Sequence, residues 1–275
     1  MKSCSRLLLG FCLLLCAWIP LYAQSFDSEL QLGVEAYKQG KYDDAIQHFR
    51  RATELDPSQT KAHLYLATAY MSQYIPGVDS PDNLRYAEGA ISEYQRVLDA
   101  DAETNAKITS NKGIAYLDLN MKKWDDAKTY YQKASALDPN DAENYYSIGV
   151  IDWTRCYQPR MEARARLGMR PDEHLSAKNP EQKKLCDELR VKNMSTIEDG
   201  MDNLNKAIQI RPDYDDAMAY MNLMYRERAD LECDNPSLRT QDLKTADDWV
   251  DKTLAVKKAK AEKSAPPQPL PDNIR

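Results

Sequence analysis

The chain has 275 residues, with 37 Lys and Arg against 43 Asp and Glu; the resulting net charge of -6 excludes a phosphate-neutralising nucleic-acid carrier. Hydrophobic residues at 43% and charged residues at 29% supply apolar surface for a core and exclude wholesale disorder. Seventeen Tyr against nine Gly point to helices.

The first two dozen residues are set apart from the rest. Lys2 and Arg6 precede an apolar run from Leu7 to Leu21, and Leu21-Tyr22-Ala23 offers a cleavage end, so residues 1–23 read as a secretory signal peptide. Leu21 is bulkier than the small residue usual at that place, which keeps an uncleaved membrane anchor open. A lipid anchor fits less well, because Cys12 follows Phe11 and Cys16 follows Leu15. Cys4, Cys12 and Cys16 lie in this leader, which leaves Cys156, Cys186 and Cys233 to meet an oxidising compartment. Three thiols allow at most one internal bridge. No CxxC remains beyond the leader, which argues against a redox motif or a zinc knuckle.

Further along, one ruler returns four times. Ala45, Phe49, Ala52 and Pro57 have the spacing of Ala127, Tyr131, Ala134 and Pro139. Weaker copies are Ala90, Tyr94, Val97 and Ala102, then Gly200, Leu204, Ala207 and Pro212. Upstream of each set lies a second helical pattern: Leu32-Gly33 with Tyr37, Leu66-Ala67 with Tyr70, Gly113 with Tyr116, and Ile148-Gly149 with Trp153. Small residues let two helices approach, aromatic residues fill the wedge between them, and Pro stops the second helix.

This pattern, with Gly40 and Tyr42 between the paired helices, resembles the tetratricopeptide repeat (TPR), a helix, turn and helix of about 34 residues. The family's bulky fourth position is Glu29 in the first copy and His63 in the second, a departure from the pattern. A fifth pair is expected from Tyr214 to Lys257, with Met218, Met221 and Tyr225 on one helix and Ala246, Trp249 and Val250 on the other. The expected fold is all-α, a right-handed superhelix of about five helix pairs over residues 24–258. Its repeats run 26–59, 60–104, 106–141, 142–214 and 215–258. Surplus length falls between paired helices, at Ile75 to Pro81, at 154–199 and from Cys233 to Thr240, and such insertions map to one edge of a solenoid. Pro266-Pro267-Gln268-Pro269-Leu270-Pro271 cannot continue a helix, so residues 259–275 are expected to form a disordered tail.

Chemistry has no foothold in these motifs. HExxH, GxSxG, GxGxxG and phosphate-loop patterns are lacking, and His48, His63 and His174 are dispersed, so neither an enzyme nor a bound cofactor or metal is expected. The Asp- and Asn-rich turns at Asp138 to Asp141 and Pro212 to Asp216 read as helix starts. What the resemblance implies instead is a concave groove that holds a protein or peptide partner. Carried over by register, its groove residues are Leu30, Val34 and Tyr37; Leu64, Thr68 and Met71; Ser110, Ile114 and Leu117; Tyr146, Val150 and Trp153; and Leu223 with Arg226. Leu30 and Val34 stand where the family's clamp for a C-terminal carboxylate needs Lys and Asn, so that mode is not expected. Tyr146 and Trp153 are expected to be the strongest anchors.

Two further expectations concern the long insertion. Arg155, Arg160, Arg164, Arg166 and Arg170, with only Glu162 among them, read either as a solvated helix face or as a docking patch for an acidic partner. Cys186, carried on a flexible insertion, is expected to pair with Cys156 or with Cys233. Membrane association, through the leader or a partner, stays open.

Overall fold

A computed structural model describes residues 25–170 and 173–264. The signal-peptide expectation falls on residues 1–23, outside the described residues. Among the described residues there are ten helices and no strand: α1 (Phe26–Lys38), α2 (Tyr42–Leu55), α3 (Thr60–Gln73), α4 (Pro81–Asp99), α5 (Thr104–Asn120), α6 (Trp124–Leu137), α7 (Ala142–Arg166), α8 (Pro180–Ile210), α9 (Asp215–Asp230) and α10 (Pro236–Ser264). Each helix packs mainly on its neighbours in the chain, as α1 on α2 and α7 on α8, and α7 also reaches α9. Neighbour-on-neighbour packing is what makes such an array quasi-one-dimensional.

Local sequence sets the boundaries. The Ser25, Ser80, Asp141 and Asn179 side chains accept backbone N–H bonds at the starts of α1, α4, α7 and α8, and Pro81 and Pro180 occupy first-turn positions where no N–H is needed. Pro57, Pro139 and Pro212 each follow two residues after α2, α6 and α8 end. The tight turns inside the first and third pairs need a left-handed residue, Gly40 at φ 74° and Lys122 at φ 61°. Lys122 therefore does the work of Gly40, at the strain that a Cβ brings.

Packing follows the small-residue ruler. Ala45, Ala52, Ala90, Ala127, Ala134 and Ala207 are wholly buried, and Phe49, Tyr94 and Tyr131 fill the wedges beside them. Gly33 shows why no side chain fits at a crossing: a Cβ there would sit 2.5 Å from two ring carbons of Phe49. Gly149 meets Leu204 in the same way. Glu29, in the family's bulky position, is fully buried and takes bonds from His48 Nδ1 at 2.7 Å and Arg51 Nε at 2.9 Å. His63 fills the equivalent place in the second pair, between Glu93 at 2.5 Å and the Pro57 carbonyl at 3.0 Å.

Outside residues 167–179 the long insertion is helical rather than a flexible loop. It is spent on lengthening α7 to 25 residues and α8 to 31, the latter about 46 Å at 1.5 Å per residue. Pro159 lies inside α7 and removes one rung of its hydrogen-bond ladder without ending it. Cys156, Met169, Leu175, Cys186 and Leu189 give the extension a core continuous with Met221 and Leu231 of the last pair. A second correction concerns the tail, since α10 runs on to Ser264 and residues 259–264 are helical. The Pro-rich remainder lies outside the described residues. No helix among the described residues is long and apolar enough to cross a membrane.

Candidate functional site

The first helices of the first three pairs enclose a groove of about 360 Å³. Val34, Tyr37 and Lys38 come from α1, Leu64, Tyr65 and Thr68 from α3, and Thr109 from α5; Phe49 of α2 forms its floor. Its polar lining is largely spent on internal bonds. Tyr37 Oη shares a hydrogen bond of 2.9 Å with Ser72 Oγ, Thr68 Oγ1 donates to the Leu64 carbonyl at 2.8 Å, and Thr109 Oγ1 donates to the Asn105 carbonyl at 2.9 Å. The groove therefore offers apolar surface to a guest.

Of the residues placed on the groove by register, Val34, Tyr37, Leu64 and Thr68 line this space. Leu30 packs beside Val34, half-buried, and Met71 lies against the Tyr94 hydroxyl, which donates to its sulfur at 3.7 Å. The third pair needs a correction. Ser110, Ile114 and Leu117 are buried, the last two packed with Ala67, Ala90 and Tyr94. Gly40 precedes Pro57 by the same interval that separates Lys122 from Pro139, so the third repeat is in register from residue 108 rather than 106. Shifted by two, its groove-facing residues become Thr109, Lys112, Tyr116 and Leu119. Thr109 does line the groove, Tyr116 is exposed, and Lys112 holds Asp141 at 2.6 Å.

Tyr146 and Trp153 pack against the next repeat. Tyr146 lies 4.9 Å from the Tyr214 ring and 5.7 Å from Tyr220, while Trp153 stacks on Tyr157 at 4.7 Å and meets Tyr220 at 5.5 Å. These rings bind α7 to α9. Val150 and Leu223 are half-buried, and Arg226 is held by Asn222 at 2.9 Å and Asp247 at 2.7 Å. Phe49, Tyr65 and Lys38 escaped the register argument; Phe49 was legible only as a repeat marker, and Tyr65 lies one residue beyond the groove stripe.

The arginine patch is also corrected. Arg160 is buried and forks onto Glu227 with bonds of 2.7 and 2.6 Å, then reaches Asp230 at 2.9 Å, where Arg164 arrives from one turn further on. Arg155 pairs with Asp125 at 2.8 Å and Arg166 with Glu162 at 3.9 Å. Arg170 lies exposed just past α7. The spacing of Cys156, Arg160 and Arg164 puts them on one face of α7, and that face meets α9. Cys186 is bonded to Cys233, with Cα atoms 6.5 Å apart, and Cys156 is a buried free thiol.

Residues 33–73 match the family model described as TPR repeat. Among solved structures, the MamA protein aligns at a TM-score of 0.56 and 16% identity, over 89% of this chain and 98% of MamA. The fold is a TPR solenoid. YrrB, described as a TPR protein with an unusual peptide-binding site, aligns at a TM-score of 0.51 and 14% identity, over 86% of this chain and 93% of YrrB. A curated relative, the type IV pilus assembly protein PilF of Pseudomonas aeruginosa, is 28% identical over 138 residues, or 42% of this chain. The match spans only 54% of PilF. The TPR repeat is a protein-interaction scaffold, and that level of function is what these similarities carry.

Proposed function

We propose that this chain is an exported, non-enzymatic scaffold that seats a segment of a partner polypeptide in the groove between α1, α3 and α5. The observation that carries the reading is the apolar groove at Val34, Tyr37, Leu64 and Tyr65, whose neighbouring hydroxyls are already hydrogen-bonded within the protein. Such a surface rewards side-chain anchors, the mode in which a few buried residues supply most of the binding energy. The likeness to YrrB supports a peptide guest. Export is supported by the apolar leader and by the Cys186–Cys233 bond, a cross-link typical of oxidising compartments. Similarity to a pilus assembly protein favours a second reading, an envelope assembly factor that acts at a membrane.

Val34→Glu with Leu64→Glu tests the groove. Both residues are half-buried, so the helical circular dichroism spectrum should persist while capture of the partner from an envelope fraction falls by at least thirtyfold. Unchanged capture by a folded variant would refute the assignment.

A further inference from the structure

We infer that the guest of this groove is an internal peptide segment that places one bulky apolar side chain beside an acidic one. The inference rests on the groove reading above and names the class of partner within it. An anchor is required because the walls are Val34, Tyr37, Phe49, Leu64 and Tyr65, and a space of about 360 Å³ suits one aromatic or large aliphatic side chain. An acidic neighbour follows from the charge left over at the rim. Lys38 lines the groove, is exposed, and has no ion pair among the described residues. Lys61 lies one turn before Leu64 and Tyr65 on α3, also without an ion pair, and its ammonium stands 5.6 Å over the Tyr65 ring.

Two other cations placed on the inner face by register are spent, Lys112 on Asp141 and Arg226 on Asp247. Lys38 and Lys61 therefore stand at the rim of the apolar space without an ion pair among the described residues. A carboxylate arriving with the anchor would neutralise them at the edge of a low-dielectric surface, where screening is weaker than in bulk water. Asp27, two turns before Val34 on α1, would repel an acidic chain running towards the α1 N-terminus, so the acidic residue belongs on the Lys38 side of the anchor.

Three octapeptides, acetylated and amidated so that no terminal charge remains, decide the matter by fluorescence anisotropy with the full-chain protein. One carries phenylalanine flanked by glutamates, the second phenylalanine flanked by lysines, the third alanine flanked by glutamates. The expected order puts the first at least tenfold tighter than either other peptide. Its binding should weaken severalfold between 50 and 500 mM NaCl, as a screened surface attraction does. Lys38→Glu with Lys61→Glu, both exposed positions that leave the fold intact, should reverse the preference between the first two peptides. Equal binding of the two phenylalanine peptides, lost in the Val34→Glu, Leu64→Glu variant, would overturn the acidic preference and leave the groove standing. If neither phenylalanine peptide binds, this inference falls, and the capture experiment above judges the groove by itself.

Discussion

Asp152 is fully buried on α7 and accepts two bonds from the Lys128 ammonium, at 2.8 and 2.9 Å, which also reaches Asp199. Burial outweighs that pairing and pushes its pKa up to about 6, against roughly 3.9 in an unfolded chain. Between these values the native state binds more protons than the unfolded one, so this residue's contribution makes stability fall as pH rises from about 4 to 6. The full effect is at most roughly 3 kcal/mol. Glu29, Asp56, Asp215 and Asp234 have lowered pKa values and act in the opposite sense, losing stability as pH falls. Subtracting the Asp152→Asn unfolding free energies from those of the parent isolates the one residue: the difference should slope between pH 4 and 6 and be flat above 7. A flat difference throughout would contradict the assignment. Cys156, pushed up to about 12 by burial, should be inert to thiol reagents in the native protein. In a chain beginning at Ser25, titration after unfolding without reductant should find one free thiol; three would refute the Cys186–Cys233 bond.

At the scale of helices, the sequence is most informative where contacts are local. The Ala, aromatic and Pro ruler located the second helices of the first four pairs, because each marker packs on a helix close by in the chain. It failed where partners are distant. Arg160 reads as solvated or docking surface in isolation, and only the approach of Glu227, 67 residues on, turns it inward. The same distance hid the helical nature of the insertion, whose stability comes from packing on α9 rather than from a marker of its own. Arg160→Met should cost about 3 to 5 kcal/mol by stranding Glu227 in the interior, whereas Arg160→Met with Glu227→Leu should recover most of that loss. Urea unfolding of the three proteins makes the comparison, and equal stability of the single and double variants would show the pair is not coupled. The third repeat's groove residues were missed for a different reason: Gly113 suggested a register that the left-handed turn at Lys122 overrules.

For the molecule as a whole, the solenoid and the ten helices of the described residues were legible in periodicity, and the groove was legible in class but not in place. The residues expected to anchor a guest, Tyr146 and Trp153, are consumed in joining the fourth pair to the fifth. The two long helices and the disulfide lie at that end; closing a loop of 47 residues stabilises it by roughly 4 kcal/mol on the chain-entropy model. Open apolar space is found instead in the first three pairs, where Lys38 and Lys61 have no ion pair among the described residues. A cross-linked end that builds the scaffold and an open end that receives the guest is the division of labour this arrangement supports. Site-specific photo-crosslinking inside the cell tests it most directly, with a photoreactive side chain at Thr68 in the groove or at Glu88 on α4, outside it. A discrete adduct with one partner polypeptide is expected from position 68 and none from position 88; adducts from position 88 alone would show that the guest sits elsewhere.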